Sequence, residues 1–172
     1  AIYMVISAIL FYAISILVSY VIDSLVGVSN NQSLIEGMIL NKGAVPIFFA
    51  VVVFAPIVEE LVFRYSIYRP LAQKNKVLAY IVTIIGFAGI HFISTLSVFS
   101  LEMNDPAISN EIAVNHLLED LKTLPIYMVG AFVLTFVYDI NGNIGTSILT
   151  HAFYNLSQVL LMFLALGLTE DS

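Results

Sequence analysis

The chain alternates between long apolar runs and short polar connections. Five stretches contain no Asp, Glu, Lys or Arg: Ala1–Ile22, Gly43–Val58, Val77–Leu101, Thr123–Tyr138 and Ile140–Thr169. Each forms or seeds a helix close to the ~20 residues that cross a bilayer. The runs lack the alternation of barrel strands, and backbone groups in lipid must bond within their own segment, so helices are predicted. The expected architecture is an all-α, polytopic transmembrane bundle of about five spans. It forms one integral-membrane domain over residues 1–172, with the chemistry-bearing core at roughly 44–168. The chain begins at Ala1 rather than Met, so helices missing from the N-terminus are also expected.

The connections carry their own signals. Pro70 and the Gln73–Lys76 turn are predicted to close the second helix, and Gly142 the fourth. Pro56, inside the second span, takes a donor from the Val52 carbonyl and predicts a kink. Ser109–Leu121 reads equally as a solvated loop or as a short amphipathic helix anchored by Ile112, Leu117 and Leu121.

Composition narrows the class. At 60% hydrophobic and 10% charged residues, a soluble bundle would have too few polar side chains to cover its surface. The bilayer is therefore the expected surrounding partner. Cysteine is absent, which removes disulfides, thiolate metal sites and cysteine nucleophiles. A net charge of −6 argues against a nucleic-acid partner. Of the six basic residues, Arg64, Arg69, Lys74 and Lys76 lie between the second and third spans. By the positive-inside rule that end is cytoplasmic.

Against this apolar background, a few ionisable residues stand out. Glu59 and Glu60 follow sixteen uncharged residues, Gly43–Val58, and Arg64 comes four later. His91 and His151 each sit deep in an apolar run. Such groups cost about 2.5–3.5 kcal/mol each at mid-bilayer on insertion scales. At ~1.5 Å per residue, Glu59, His91 and His151 lie roughly 14, 21 and 9 Å from the basic end, one layer toward that side once tilt and helix ends are allowed several ångströms.

Helical spacing separates the roles. Glu60 and Arg64 share a face in the favourable acid-before-base order, so Arg64 neutralises and orients Glu60. Glu59 lies about 100° round the helix and points elsewhere, which leaves its carboxyl group for the bundle interior as a general base. His151 and Asn155, four apart, offer an imidazole and a carboxamide as donors to a developing oxyanion. Phe87 and His91 repeat the spacing, so the ring can pack on the imidazole; Gly86 and Gly89 permit close helix approach. Each pair alone has an ordinary structural explanation. What such explanations leave out is their meeting at one depth on three helices.

Other intramembrane designs fit less well. No His is followed by Glu as zincin chemistry requires. Ser147 and His151 are four apart, but Gly145-Thr146-Ser147-Ile148 lacks the second glycine of a rhomboid-type motif. Tyr138-Asp139 has no G-x-G-D partner, and Asp139 reads as a helix-end cap.

The ordered set Glu59-Glu60-x-x-x-Arg64, Phe87-x-x-x-His91 and His151-x-x-x-Asn155 closely resembles the CPBP family, the CAAX proteases and bacteriocin-processing enzymes also called Abi. The resemblance implies a glutamate-dependent intramembrane endopeptidase acting on a membrane-associated protein or peptide. By analogy with type II CAAX prenyl endopeptidases, Glu59 and His91 would activate water and His151 and Asn155 would stabilise the oxyanion. Glu60, Arg64 and Phe87 would support them. No cofactor is expected; the alternative is zinc or another divalent ion on Glu59, His91 and His151. The rival functions are a non-hydrolytic scaffold in bacteriocin immunity or envelope regulation and, less suited to spans without repeats, a proton-coupled transporter. Low arginine, abundant isoleucine and Asn-rich loops point to a bacterial cytoplasmic membrane, with the site toward the cytoplasm.

Overall fold

The computed structural model describes residues 43–170, with Ile9, Ala13, Leu17, Ile35, Gly37 and Met38 before them. Apart from those positions, the first predicted span and the Ser29–Asn41 connection lie outside the described residues. The helices are α1 (Val45–Ala72), α2 (Lys76–His91), α3 (Ile93–Met103), α4 (Asn110–Leu121), α5 (Leu124–Asn141) and α6 (Ile144–Glu170). No strand occurs among the described residues. Long enough and apolar enough to cross a membrane are α1, the joined α4–α5 stretch Asn110–Asn141, and Ile144–Leu164 of α6. The pair α2–α3 meets the same test only when its two helices are taken together, across a bend of 42°. The protein is an all-α integral-membrane bundle.

α1 is not uniform. Wide π-type turns at Phe49–Phe54 and Leu61–Tyr68 flank an α-helical turn at Ala55–Glu60. Pro56 stands at the start of that α-helical turn and has no N–H to give. In the π turn before it, the Val51 carbonyl accepts from Asn155 Nδ2 of α6 at 2.9 Å. The predicted closure of the second helix holds at the Gln73–Lys76 turn: α1 runs past Pro70 to Ala72, and the Lys74 and Asn75 amides both donate to the Leu71 carbonyl at 2.9 and 2.8 Å. Asn75 then caps α2 by accepting from the Leu78 amide at 3.0 Å.

The third predicted span breaks at Phe92, whose backbone (φ −89°, ψ −5°) separates α2 from α3. The predicted stop at Gly142 holds: it takes φ +62°, and its amide bonds the Tyr138 carbonyl at 2.8 Å. The segment that read equally as loop or helix is helical. α4 starts at a Ser109 cap that accepts from the Ile112 amide at 3.3 Å. Of the three expected anchors, Ile112 and Leu121 are exposed, while Ala113 and Asp120 are buried.

α1, α2, α5 and α6 form the bundle, and α3 and α4 pack on each other as a hairpin. Ile47 and Met162 pack near the start of α1. Phe63, Phe87, Ala131 and Leu134 form a second apolar cluster, and Tyr68, Ala79 and Tyr138 a third near its end. Burial of apolar surface drives little in lipid, so close backbone approach matters more. Ala79, Ala88 and Ala131 are buried. A Cβ on Gly86 would sit 3.2 Å from Phe63 Cε1, whereas Gly89 faces open space. Only Gly86 therefore plays the predicted packing role. Ile85, Leu149, Phe153 and Leu164 point outward, as a lipid-facing surface requires.

Candidate active site

Glu60 lies at the centre of the bundle. It and Arg64 are fully buried and paired at 2.9 Å through Arg64 Nη1 and Glu60 Oε1. The α-helical turn ending at Glu60 sends the carboxylate inward, and the i, i+4 contact survives into the π segment. Arg64 Nη2 donates to the Ala131 carbonyl at 3.1 Å, and its guanidinium carbon lies 4.7 Å from the Phe87 ring centroid. Ser147 Oγ donates to Glu60 Oε2 at 2.5 Å. His151 Nδ1 donates to Glu60 Oε1 at 2.9 Å. Three partners, Arg64 from α1 itself and Ser147 and His151 from α6, thus fill both oxygens of one carboxylate, the completion that a buried charge requires.

Glu59 is placed quite differently. Its side chain is 20% exposed, and its Oε2 is buried without a hydrogen-bond partner. Two imidazole nitrogens face that atom: His151 Nε2 at 3.7 Å and His91 Nε2 at 4.0 Å. Both separations are too long for a direct hydrogen bond.

The tautomers follow from the partners on the far side of each ring. His151 Nδ1 meets a carboxylate, and His91 Nδ1 meets the Phe87 carbonyl at 2.8 Å. Carboxylates and carbonyls only accept, so Nδ1 carries the proton in both rings. In their neutral forms both histidines therefore turn a lone pair toward Glu59. A water molecule in that gap has two protons to give, enough for two of these three acceptors.

Phe87 organises this arrangement. Its centroid is 4.7 Å from that of His91 and 5.8 Å from that of His151. The structure thus brings Glu59, Glu60, Arg64, Phe87, His91 and His151 together. Asn155 lies one helical turn beyond His151, with one amide N–H committed to Val51.

Two nearby residues take parts that the sequence does not assign them. Ser147, spaced from His151 as a serine nucleophile would be, turns its hydroxyl to Glu60 instead. The i, i+4 spacing was the available signal. Tyr127 stacks on His91 with centroids 4.6 Å apart, and no spacing rule links residues on different helices. Asp139 is not a cap. It accepts from Tyr80 at 3.2 Å and pairs with Lys76 at 2.7 Å, tying α5 to α2.

Fold and side chains together define a class: an integral-membrane helical protein with carboxylate and imidazole groups gathered inside the bundle. The chain belongs to the type II CAAX prenyl endopeptidase Rce1-like family, whose model matches residues 41–157, more than half of its length. It is accordingly a CAAX-type intramembrane protease. No curated protein and no solved structure matches it.

Proposed function

We propose that the protein hydrolyses a peptide bond of a membrane-associated protein or peptide, using a water molecule held between Glu59, His91 and His151. The observation that carries this reading is the convergence of two Nε2 atoms on the unpartnered Glu59 Oε2 at 3.7 and 4.0 Å. Glu59 takes a proton from the water as its oxygen attacks the scissile carbonyl. His91 Nε2 accepts the second O–H and so fixes the attacking lone pair. The carbonyl π electrons move to oxygen. His151 donates to that oxyanion from Nε2 as the imidazolium, with Glu60 behind its Nδ1, and Asn155 offers its remaining N–H. The C–N bond then breaks as Glu59 returns the proton to the leaving amine.

The donor types also suit zinc, because each histidine donates its Nδ1–H to an acceptor as metal-bound histidines do. The spacing suits it less. Tetrahedral bonds of about 2.0–2.1 Å hold ligands about 3.3 Å apart, and the separations here are wider. The metal-free reading rests on that difference. Exhaustive chelation that abolishes cleavage, with zinc restoring it, would overturn it.

Arg69, Lys74 and Lys76 at the end of α1 and start of α2 support a cytoplasmic placement of that end. The proposed setting is a bacterial cytoplasmic membrane.

The test is cleavage by purified protein in lipid vesicles, assayed on membrane-associated peptides that include one with a prenylated CAAX end. Glu59→Gln is expected to remove about 10²–10⁴-fold in rate while the protein stays folded. A cellular phenotype that survives both Glu59→Ala and His91→Ala would favour a scaffold instead.

A further inference from the structure

His91 ends α2, and the chain turns by 42° into α3 immediately after it. Its polar tie is the Nδ1 bond to the Phe87 carbonyl. One hydrogen bond fixes a point on the ring and leaves its plane free to rock about that point. The plane matters because it decides where Nε2 aims.

Tyr127 supplies the missing constraint. It lies in the first turn of α5, a helix that carries none of the three motifs. Its ring is stacked on the imidazole at 4.6 Å with planes 25° apart, from a helix remote in sequence. Phe87 meets the same imidazole at 34°. The junctions that hold the two stacked residues are themselves joined: Thr95, in the first turn of α3, donates to Asp120 near the end of α4 at 2.6 Å. Thr123, at the start of α5, donates to the Asp120 carbonyl at 2.7 Å. The bend after His91 and the turn before Tyr127 are thus stitched to each other.

We infer that Tyr127 is a positioning residue, whose stacked ring holds the His91 imidazole in the plane that aims Nε2 at the Glu59 carboxylate. This deepens the hydrolytic reading above and rests on it. Misplacing a reacting group by about 1 Å can cost up to 10²-fold, so loss of the ring should act on turnover rather than on substrate binding.

The experiment measures kcat and KM per folded enzyme in vesicles on a quenched-fluorescent prenylated CAAX peptide, beside thermal midpoints. Tyr127→Leu is expected to lower kcat by about tenfold with KM unchanged. Tyr127→Phe, which keeps the ring, should restore kcat. Wild-type kcat in Tyr127→Leu, or a Phe variant as impaired as Leu, would overturn the proposal. So would a fall in activity that only follows loss of folded protein. The two readings fail separately. A His91→Ala enzyme with wild-type turnover removes the role of His91 itself, whereas an inactive His91→Ala beside an unaffected Tyr127→Leu removes only the role of Tyr127.

Discussion

Two carboxylate–cation pairs between near neighbours in the chain, one at the bundle centre and one on the surface, carry opposite energetic weight. At the bundle centre Glu60 and Arg64 have no exposed surface, and Ser147 and His151 complete the carboxylate. On α4, Glu119 pairs with Lys122, and both side chains are more than half exposed. Water can replace either partner of the exposed pair. Nothing can replace a partner of the buried one except another side chain, so its value lies in being complete. Both pairs join a carboxylate to a nitrogen cation, and the surroundings weigh most in what the loss of either costs.

The comparison can be broken most directly at Arg64. Arg64→Ala leaves Glu60 buried and uncompensated, which should cost about 3–5 kcal/mol and remove folded protein along with activity. A melt in detergent reads this, and a stable, active variant would erase the distinction between the two regions. Ser147→Ala tests the next level. It takes the hydroxyl from Glu60 Oε2, and an unsatisfied buried acceptor should cost about 1–3 kcal/mol. A Ser147→Ala protein with an unchanged midpoint would mean that the Glu60 network tolerates gaps. The smallest effect belongs to the exposed pair. Glu119→Gln should shift stability by less than about 1 kcal/mol and leave cleavage rates alone. A large change there would show that α4 contributes more than a solvated ion pair.

Much of the site was legible because its spacings are local. Glu60–Arg64, Phe87–His91 and His151–Asn155 are each one helical turn apart, and any helix places such residues on a common face. The contrast between Glu59 and Glu60 followed from the same rule, since neighbours differ by about 100°. What escaped were relations between helices. The Ser147–Glu60 and Tyr127–His91 contacts depend on how far each helix is rotated about its axis. The Val51–Asn155 bond likewise depends on how α6 meets α1. Asp139 differs for a related reason: local rules predict a helix-end cap there, but α2 engages it with Lys76 and Tyr80.

The amino-acid order alone determined that apolar helices would lie in a membrane and that a few ionisable groups would share one depth, because length, hydropathy and one-turn spacing are properties of a single strand of chain. Only the packed bundle decided which side chains complete Glu60 and which imidazoles face Glu59. That choice depends on the side chains the other helices bring to each carboxylate, and in a low-dielectric interior every one of those partners counts.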